Sequence, residues 1–162
     1  MDYLKTIRVL VGAEEKEYII PEYLLTSTSA FFKVAGSQKW KEGQDRTVRL
    51  PEQDLELWTA YLHWKFTHSL TASKGSGSSK KSETKVDGWQ RVILLWITAD
   101  QLQDLHLQNK AADQILAYLK DRKDIAGPDN VSIAWASTVP ESSLRRLLID
   151  GYVDSDVALD SA

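Results

Sequence analysis

Asp100 and Asp104 stand four residues apart in a stretch of helical spacing. Two carboxylates so placed on one helix face are raw material for general acid–base chemistry. No nucleophile in context and no glycine-rich phosphate loop accompanies them, so the sequence puts them on a solvated face. His63, His68 and His106 offer imidazole nitrogens, but not at the spacing of a metal-binding pair on a helix, and they read as surface histidines. Ser142-Ser143 has none of the neighbours that would activate a hydroxyl. Cysteine is absent, which removes disulfides, thiolate zinc ligands and a cysteine nucleophile together. No residue is assigned to catalysis, to a cofactor or to a metal, and the chain is expected not to be an enzyme.

Six tryptophans raise the question of a ligand pocket or a base-stacking platform. Trp58, Trp96 and Trp135 fall on helical apolar stripes, so they are expected in the core. Trp64 and Trp89 are left open between core and partial exposure. The whole chain of 162 residues suits one domain and is long enough to bury its own core without a covalent staple. Its net charge is −3. Four lysines against Glu83 and Asp87 make the segment from His68 to Asp87 locally basic, which leaves the remainder more acidic still. Such a body gives no long-range attraction to phosphate backbones, and nucleic acid is not expected as a partner. No small-molecule substrate is expected either. The chain shows neither a secretory leader nor an apolar run of membrane-spanning length. A cytoplasmic or nuclear protein is the expectation, with no membrane contact.

The elements that must position any functional residue can be read in order. Ile7, Val9 and Val11 alternate with Arg8, Leu10 and Gly12, the period of a strand. After a polar turn at Gly12-Ala13-Glu14-Glu15, Glu17-Tyr18-Ile19-Ile20 reads as the return strand of a hairpin. Pro21 ends that strand and suits the first turn of a helix. Leu24-Leu25 and Ala30-Phe31-Phe32 mark two short helices, the second capped by Ser29 and closed by Gly36. Thr47–Leu50 is a third strand stopped by Pro51. Asp54 caps a helix on which Leu55, Trp58 and Leu62 make a stripe widened by Tyr61, ending near Phe66.

Residues 69–85 change character to Ser, Gly, Lys and Thr, and offer too little apolar burial to offset their conformational entropy. They are expected to be a disordered insert, with Lys80-Lys81 serving solubility. Beyond it, Val92, Leu95, Trp96, Ala99, Leu102 and Leu105 make one continuous helical stripe with Asp87 as cap. Ala112, Ile115, Leu116 and Leu119 make the next, with Asn109 as cap. Gly127-Pro128-Asp129 starts a helix carrying Val131, Ala134 and Trp135, and Leu144, Leu147 and Leu148 form a last helix ending at Gly151. These later helices are expected to need the strands to complete a core. The fold class is α+β: a small three-stranded sheet covered by a cluster of helices, with a mostly helical second half.

From Ile7 to about Leu119 the ordered series resembles the BTB/POZ domain family, of the kind found in filamentous fungi. The resemblance rests on Tyr18-Ile19-Ile20-Pro21-Glu22-Tyr23-Leu24-Leu25, Ser29-Ala30-Phe31-Phe32, Trp40-Lys41-Glu42 and Val48-Arg49-Leu50-Pro51-Glu52. It continues through Tyr61-Leu62-His63-Trp64-Lys65-Phe66-Thr67 and Ala99-Asp100-Gln101-Leu102. The segment Ser142–Asp150 looks like the region that follows the domain in such proteins. The chain departs from the family at Pro21, where His is frequent, and at Lys5-Thr6, where an Asp often precedes the first strand. The charged pocket of BTB transcription factors is therefore not expected here. Few residues precede Ile7, so the family's strand-swapped dimer is not expected, and the layout is closer to elongin C.

The resemblance implies a BTB/POZ-like domain over 1–125, with its insert at 69–85, and a helical extension over 126–162 packed on it. It implies a protein–protein interaction module, an adaptor in a cullin-type ubiquitin ligase. Trp40 and Glu42 are the interface candidates: an apolar residue, any residue, then Glu, at the family's scaffold-contacting position. A flat aromatic supplies contact area there and a carboxylate fixes direction. The alternative is a self-associating BTB scaffold or a transcription-related interaction protein without a ligase role. A small unassigned enzyme is the last choice.

Overall fold

The computed structural model describes residues 5–37, 45–70, 88–120 and 126–159, with side chains to Asp154. Trp40 and Glu42, Asp87 and the insert from residue 71 onward lie outside the described residues. The described residues fall into two compact units: 5–70 with 98–106, and 88–97 with 107–159.

The first unit is built on a three-stranded sheet. β1 (Thr6–Val11) and β2 (Lys16–Pro21) form the expected hairpin, antiparallel with Ile7 opposite Ile20 and Val9 opposite Tyr18. Gly12 sits at φ 75°, and the Glu15 amide donates to its carbonyl at 3.0 Å, so the turn uses the one residue type that adopts positive φ freely. β3 (Thr47–Leu50) lies parallel to β1 on its other side, giving the order β2-β1-β3. Alternation decides which face is inside: Ile7, Val9, Val11, Ile20 and Val48 are buried, whereas Ile19 on the outer strand is exposed.

Between β2 and β3 run two short helices, α1 (Glu22–Thr26) and α2 (Ala30–Ala35). Pro21 closes β2 and stands at the N-cap of α1, one position ahead of the first turn. The Ser29 hydroxyl accepts from the Phe32 amide, the expected cap, and Gly36 ends α2. α3 (Leu55–Thr67) begins at Asp54, whose carboxylate accepts from the amides of Glu56 and Leu57. Its buried stripe differs from the expected one. Trp58, Tyr61, Trp64 and Lys65 are inside, while Leu55 and Leu62 are only half-buried. Trp58 stacks on Tyr61 at 5.4 Å between ring centroids and approaches Phe32 and Tyr18 at 6.1 Å each, an aromatic core beneath the sheet.

The expected continuous stripe from Val92 to Leu105 is interrupted. α4 (Gly88–Gln101) ends before Leu102, and α5 (Leu105–Lys120) begins three residues later. Gln103 adopts φ 50°; its amide donates to the Asp100 carbonyl at 3.1 Å, and the Asp104 amide donates to Ala99 at 2.8 Å. Those two bonds with a left-handed residue between them are a Schellman stop. Leu105 is consequently exposed, and Asn109 lies inside α5 rather than capping it.

The second unit is helical. Trp89, Val92, Ile93, Trp96 and Ile97 of α4 bury with Ala111 and Ile115 of α5, with Ala134 of α6 (Pro128–Ser137) and with Leu144 and Leu148 of α7 (Ser143–Leu159). This cluster draws on helices and on Ala126, whereas Thr98–His106, from the end of α4 into α5, groups with the sheet-bearing unit. Gly127 and Pro128 open α6 as expected. Trp135 is half-buried beneath the Arg145 guanidinium, 5.3 Å from its ring, and Arg145 also donates to the carbonyls of Trp135 and Thr138. α7 runs on through Gly151, where a stop was expected. A Cβ at that position would lie 2.3 Å from Leu119 Cδ2, so Gly151 serves a close helix contact and not a terminus.

Candidate functional site

In the sheet-bearing unit the chain places charge inside the core. Asp104 is fully buried, and its Oδ2 accepts three hydrogen bonds: from Thr28 Oγ1 at 2.7 Å, Tyr61 Oη at 3.0 Å and Lys65 Nζ at 3.1 Å. Lys65 Nζ also donates to Thr28 Oγ1 at 2.5 Å and lies 5.6 Å from the Tyr61 ring centroid. The sequence reading of Asp104 as a solvated carboxylate sharing a helix face with Asp100 is therefore corrected. The helix stops between them, Asp100 remains exposed, and Asp104 turns inward.

Each partner reaches this node for a local reason. Tyr61 and Lys65 are four residues apart on α3 and share a face. Thr28 lies in the turn between α1 and α2, which is tied to the α4–α5 turn by two further bonds. Ser29 Oγ donates to the Leu102 carbonyl at 2.5 Å, and the Ala30 amide donates to Gln103 at 3.1 Å. Burial pushes the Lys65 ammonium below its usual range, and Asp104 works against that shift. Burial, reinforced by the Asp104 carboxylate, pushes the Tyr61 phenol far above its ordinary value. A lysine of lowered proton affinity is one of the groups nucleophilic catalysis uses. Here only 3% of its side chain is exposed and its protons are directed at Thr28 and Asp104, so the pair ties segments together and presents no face to a substrate.

The surface beside this node differs in kind. Phe66, next to Lys65, is 62% exposed, and Leu105, next to Asp104, is 67% exposed. His68 follows α3 with φ 54° and its amide bonded to the Trp64 carbonyl at 2.7 Å; His106 is the second residue of α5. Trp64 is buried, and its ring centroid lies 5.5 Å from that of His68 and 5.6 Å from that of His106. The two imidazole centroids are 6.1 Å apart. Fold therefore brings together two histidines that sequence spacing kept apart, while both remain exposed as expected. His63 is half-buried.

Of the sequence candidates, Trp40 and Glu42 fall outside the described residues, Ser142 caps the Leu144 amide, and Ser143 is exposed. Sequence reasoning missed Lys65, Asp104 and Thr28 as a unit. One signal for Lys65 was present: it lies four residues after Tyr61 and seven after Trp58, on the buried stripe. No helix among the described residues is long and apolar enough to cross a membrane.

No family model matches the chain. A stretch of 100 residues, 62% of this chain, is 26% identical to the ribosome quality control complex subunit NEMF of Mus musculus. The match spans 9% of that protein's length.

Proposed function

We propose that this chain is a protein–protein interaction module of BTB/POZ type that acts as an adaptor and not as a catalyst. The observation that supports the reading most is the sheet. A β1–β2 hairpin, two short helices, and a third strand returning parallel to β1 in the order β2-β1-β3 follow the ordered residue series on which the resemblance rests. The buried node supports it as well, since it devotes the unit's buried charges to holding turns and leaves large apolar side chains, Phe66 and Leu105, facing outward beside them. Exposed apolar residues on a rigid support are what a docking surface needs. The scaffold that the resemblance implies is a cullin, met through Trp40 and Glu42, in a cytoplasmic or nuclear ubiquitin ligase.

The experiment is a titration of a cullin N-terminal region against the wild-type chain, Trp40→Ala and Glu42→Ala, with circular dichroism on each. Saturable binding by the wild type that weakens in both variants, with helicity retained, is the expected result. An aromatic anchor at an interface centre contributes on the order of 2 kcal/mol or more, about thirtyfold in affinity. A wild type that does not bind rejects the ligase role, and equal binding by all three chains moves the contact away from Trp40 and Glu42.

A further inference from the structure

We propose that His68 and His106 form a two-histidine site for a divalent transition cation such as Zn²⁺, Ni²⁺ or Cu²⁺. The two residues come from the end of α3 and the start of α5, and the fold holds both ends still. Lys65, three residues before His68, and Asp104, two before His106, are joined at 3.1 Å in the buried node. The His68 backbone is further fixed by its left-handed φ of 54° and its 2.7 Å bond to Trp64. A chelate whose backbones are already in place loses little entropy when it binds.

The distance is close to what one ion needs. An imidazole nitrogen sits about 2.0–2.1 Å from such a metal, which puts two rings bound to one tetrahedral ion roughly 5–5.5 Å apart between centroids, so the side chains need close the gap only slightly. His68 and His106 are separated by 6.1 Å, with their planes at 62°. Both residues are exposed, so their nitrogens can turn toward a shared ion without displacing core atoms. Trp64 forms an apolar wall under both rings. Imidazole pairs select zinc, nickel and copper over magnesium and calcium, which require oxygen ligands. No group of three or more His, Cys, Asp or Glu side chains that could hold a metal stands together among the described residues. Two imidazoles fill only two of the ion's positions and leave the others to water, an open site in type.

The test uses the full chain without a polyhistidine tag, titrated with zinc chloride in a calorimeter and with copper chloride by tryptophan fluorescence. Trp64, packed against both imidazoles, is placed to report a bound cupric ion by quenching. One ion per chain is expected for each metal, with magnesium chloride giving no heat. His106→Ala and His68→Asn, which keeps a residue type that tolerates positive φ, should each weaken binding by about tenfold or more. His63→Ala should leave it unchanged. Circular dichroism on each variant separates lost ligation from lost fold. Absence of saturable binding by the wild type overturns the proposal. So does undiminished binding by both folded variants at positions 68 and 106.

Discussion

The two units solve the problem of a stable interior differently. In the helical unit Trp89, Ile93, Trp96, Ile115, Leu144 and Leu148 meet as apolar surfaces, and Asn130 is the one buried polar side chain among its described residues. The sheet-bearing unit buries Ser29, Thr47, Lys65, Thr98 and Asp104 together with its aromatic core. Apolar packing holds a helix face wherever the period is right, and tolerates some sliding. A carboxylate that must meet three donors at once tolerates none, so the α1–α2 turn, α3 and the α4–α5 turn are held in one arrangement. The contrast is between an interior that supplies cohesion and one that also supplies position. Position is what exposed Phe66, Leu105, His68 and His106 require if they are to meet a partner or an ion.

Removing one partner from each interior tests that contrast at its largest. Trp96→Ala should cost about 3–5 kcal/mol by leaving a cavity. Asp104→Ala should cost a similar ~3–5 kcal/mol by stranding a buried ammonium. The two losses differ in how they can be repaired. The pair Lys65→Met with Asp104→Leu replaces charge by packing, and should recover most of the stability lost in Asp104→Ala. Urea denaturation of the four chains measures this. A double variant as unstable as Asp104→Ala would show that the hydrogen bonds to Thr28 and Tyr61 matter more than charge balance.

This contrast also separates what could be read in the sequence from what could not. Strand alternation at Ile7, Val9 and Val11, the caps at Ser29 and Asp54, the Gly127-Pro128 start and the burial of Trp58 and Trp96 were legible, because each follows from local chemistry or period. The node was not. Its partners lie up to 76 residues apart, and pairing across such a separation leaves no local pattern. The decisive turn was hidden too, since Gln103 occupies the left-handed position where glycine would have announced a helix stop. Gly151 misled in the opposite sense. It looks like a stop, yet its missing side chain is needed for a helix contact that sequence alone does not reveal. Trp40 and Glu42, legible only through the family resemblance, await the binding titration.

A smaller effect sharpens the contrast through pH. Tyr61 holds its proton more tightly when folded, because of burial and then Asp104. Below about pH 10 both states keep that proton, and its contribution is fully present. Above it the unfolded chain releases the proton while the folded chain retains it, so stability falls by up to ~1.4 kcal/mol per pH unit. Lys65 has the opposite sign: its folded value is lowered, so stability rises with pH between that lowered value and its ordinary one. Tyr61→Phe removes only the first trend. The stability gap between wild type and Tyr61→Phe should therefore stay level up to about pH 10 and narrow above it. A gap independent of pH from 9 to 11 would mean that Tyr61 ionises in the folded chain and that the node is open to water.

The smallest effect lies in the helical unit, at the apolar contact between Gly151 and Leu119. Gly151 sits within α7, and alanine at such a position should gain up to about 1 kcal/mol of helix propensity. Against that, the added Cβ would lie 2.3, 2.7 and 3.0 Å from Cδ2, Cδ1 and Cγ of Leu119, too close for all three unless Leu119 rotates or the helices part. Overpacking of this kind costs about 1–3 kcal/mol. Gly151→Ala should therefore lose on the order of 1 kcal/mol net, a fall in Tm of about 2–4 °C. Leu119 is only half-buried, so it can be shortened at modest expense. Leu119→Ala with Gly151→Ala should be more stable than Leu119→Ala alone, because the obstruction is gone and the propensity gain remains. Thermal denaturation of the three variants beside the wild type decides the matter. If Gly151→Ala raised Tm on its own, Leu119 would yield freely, and the helical interior would be looser than its apolar packing implies.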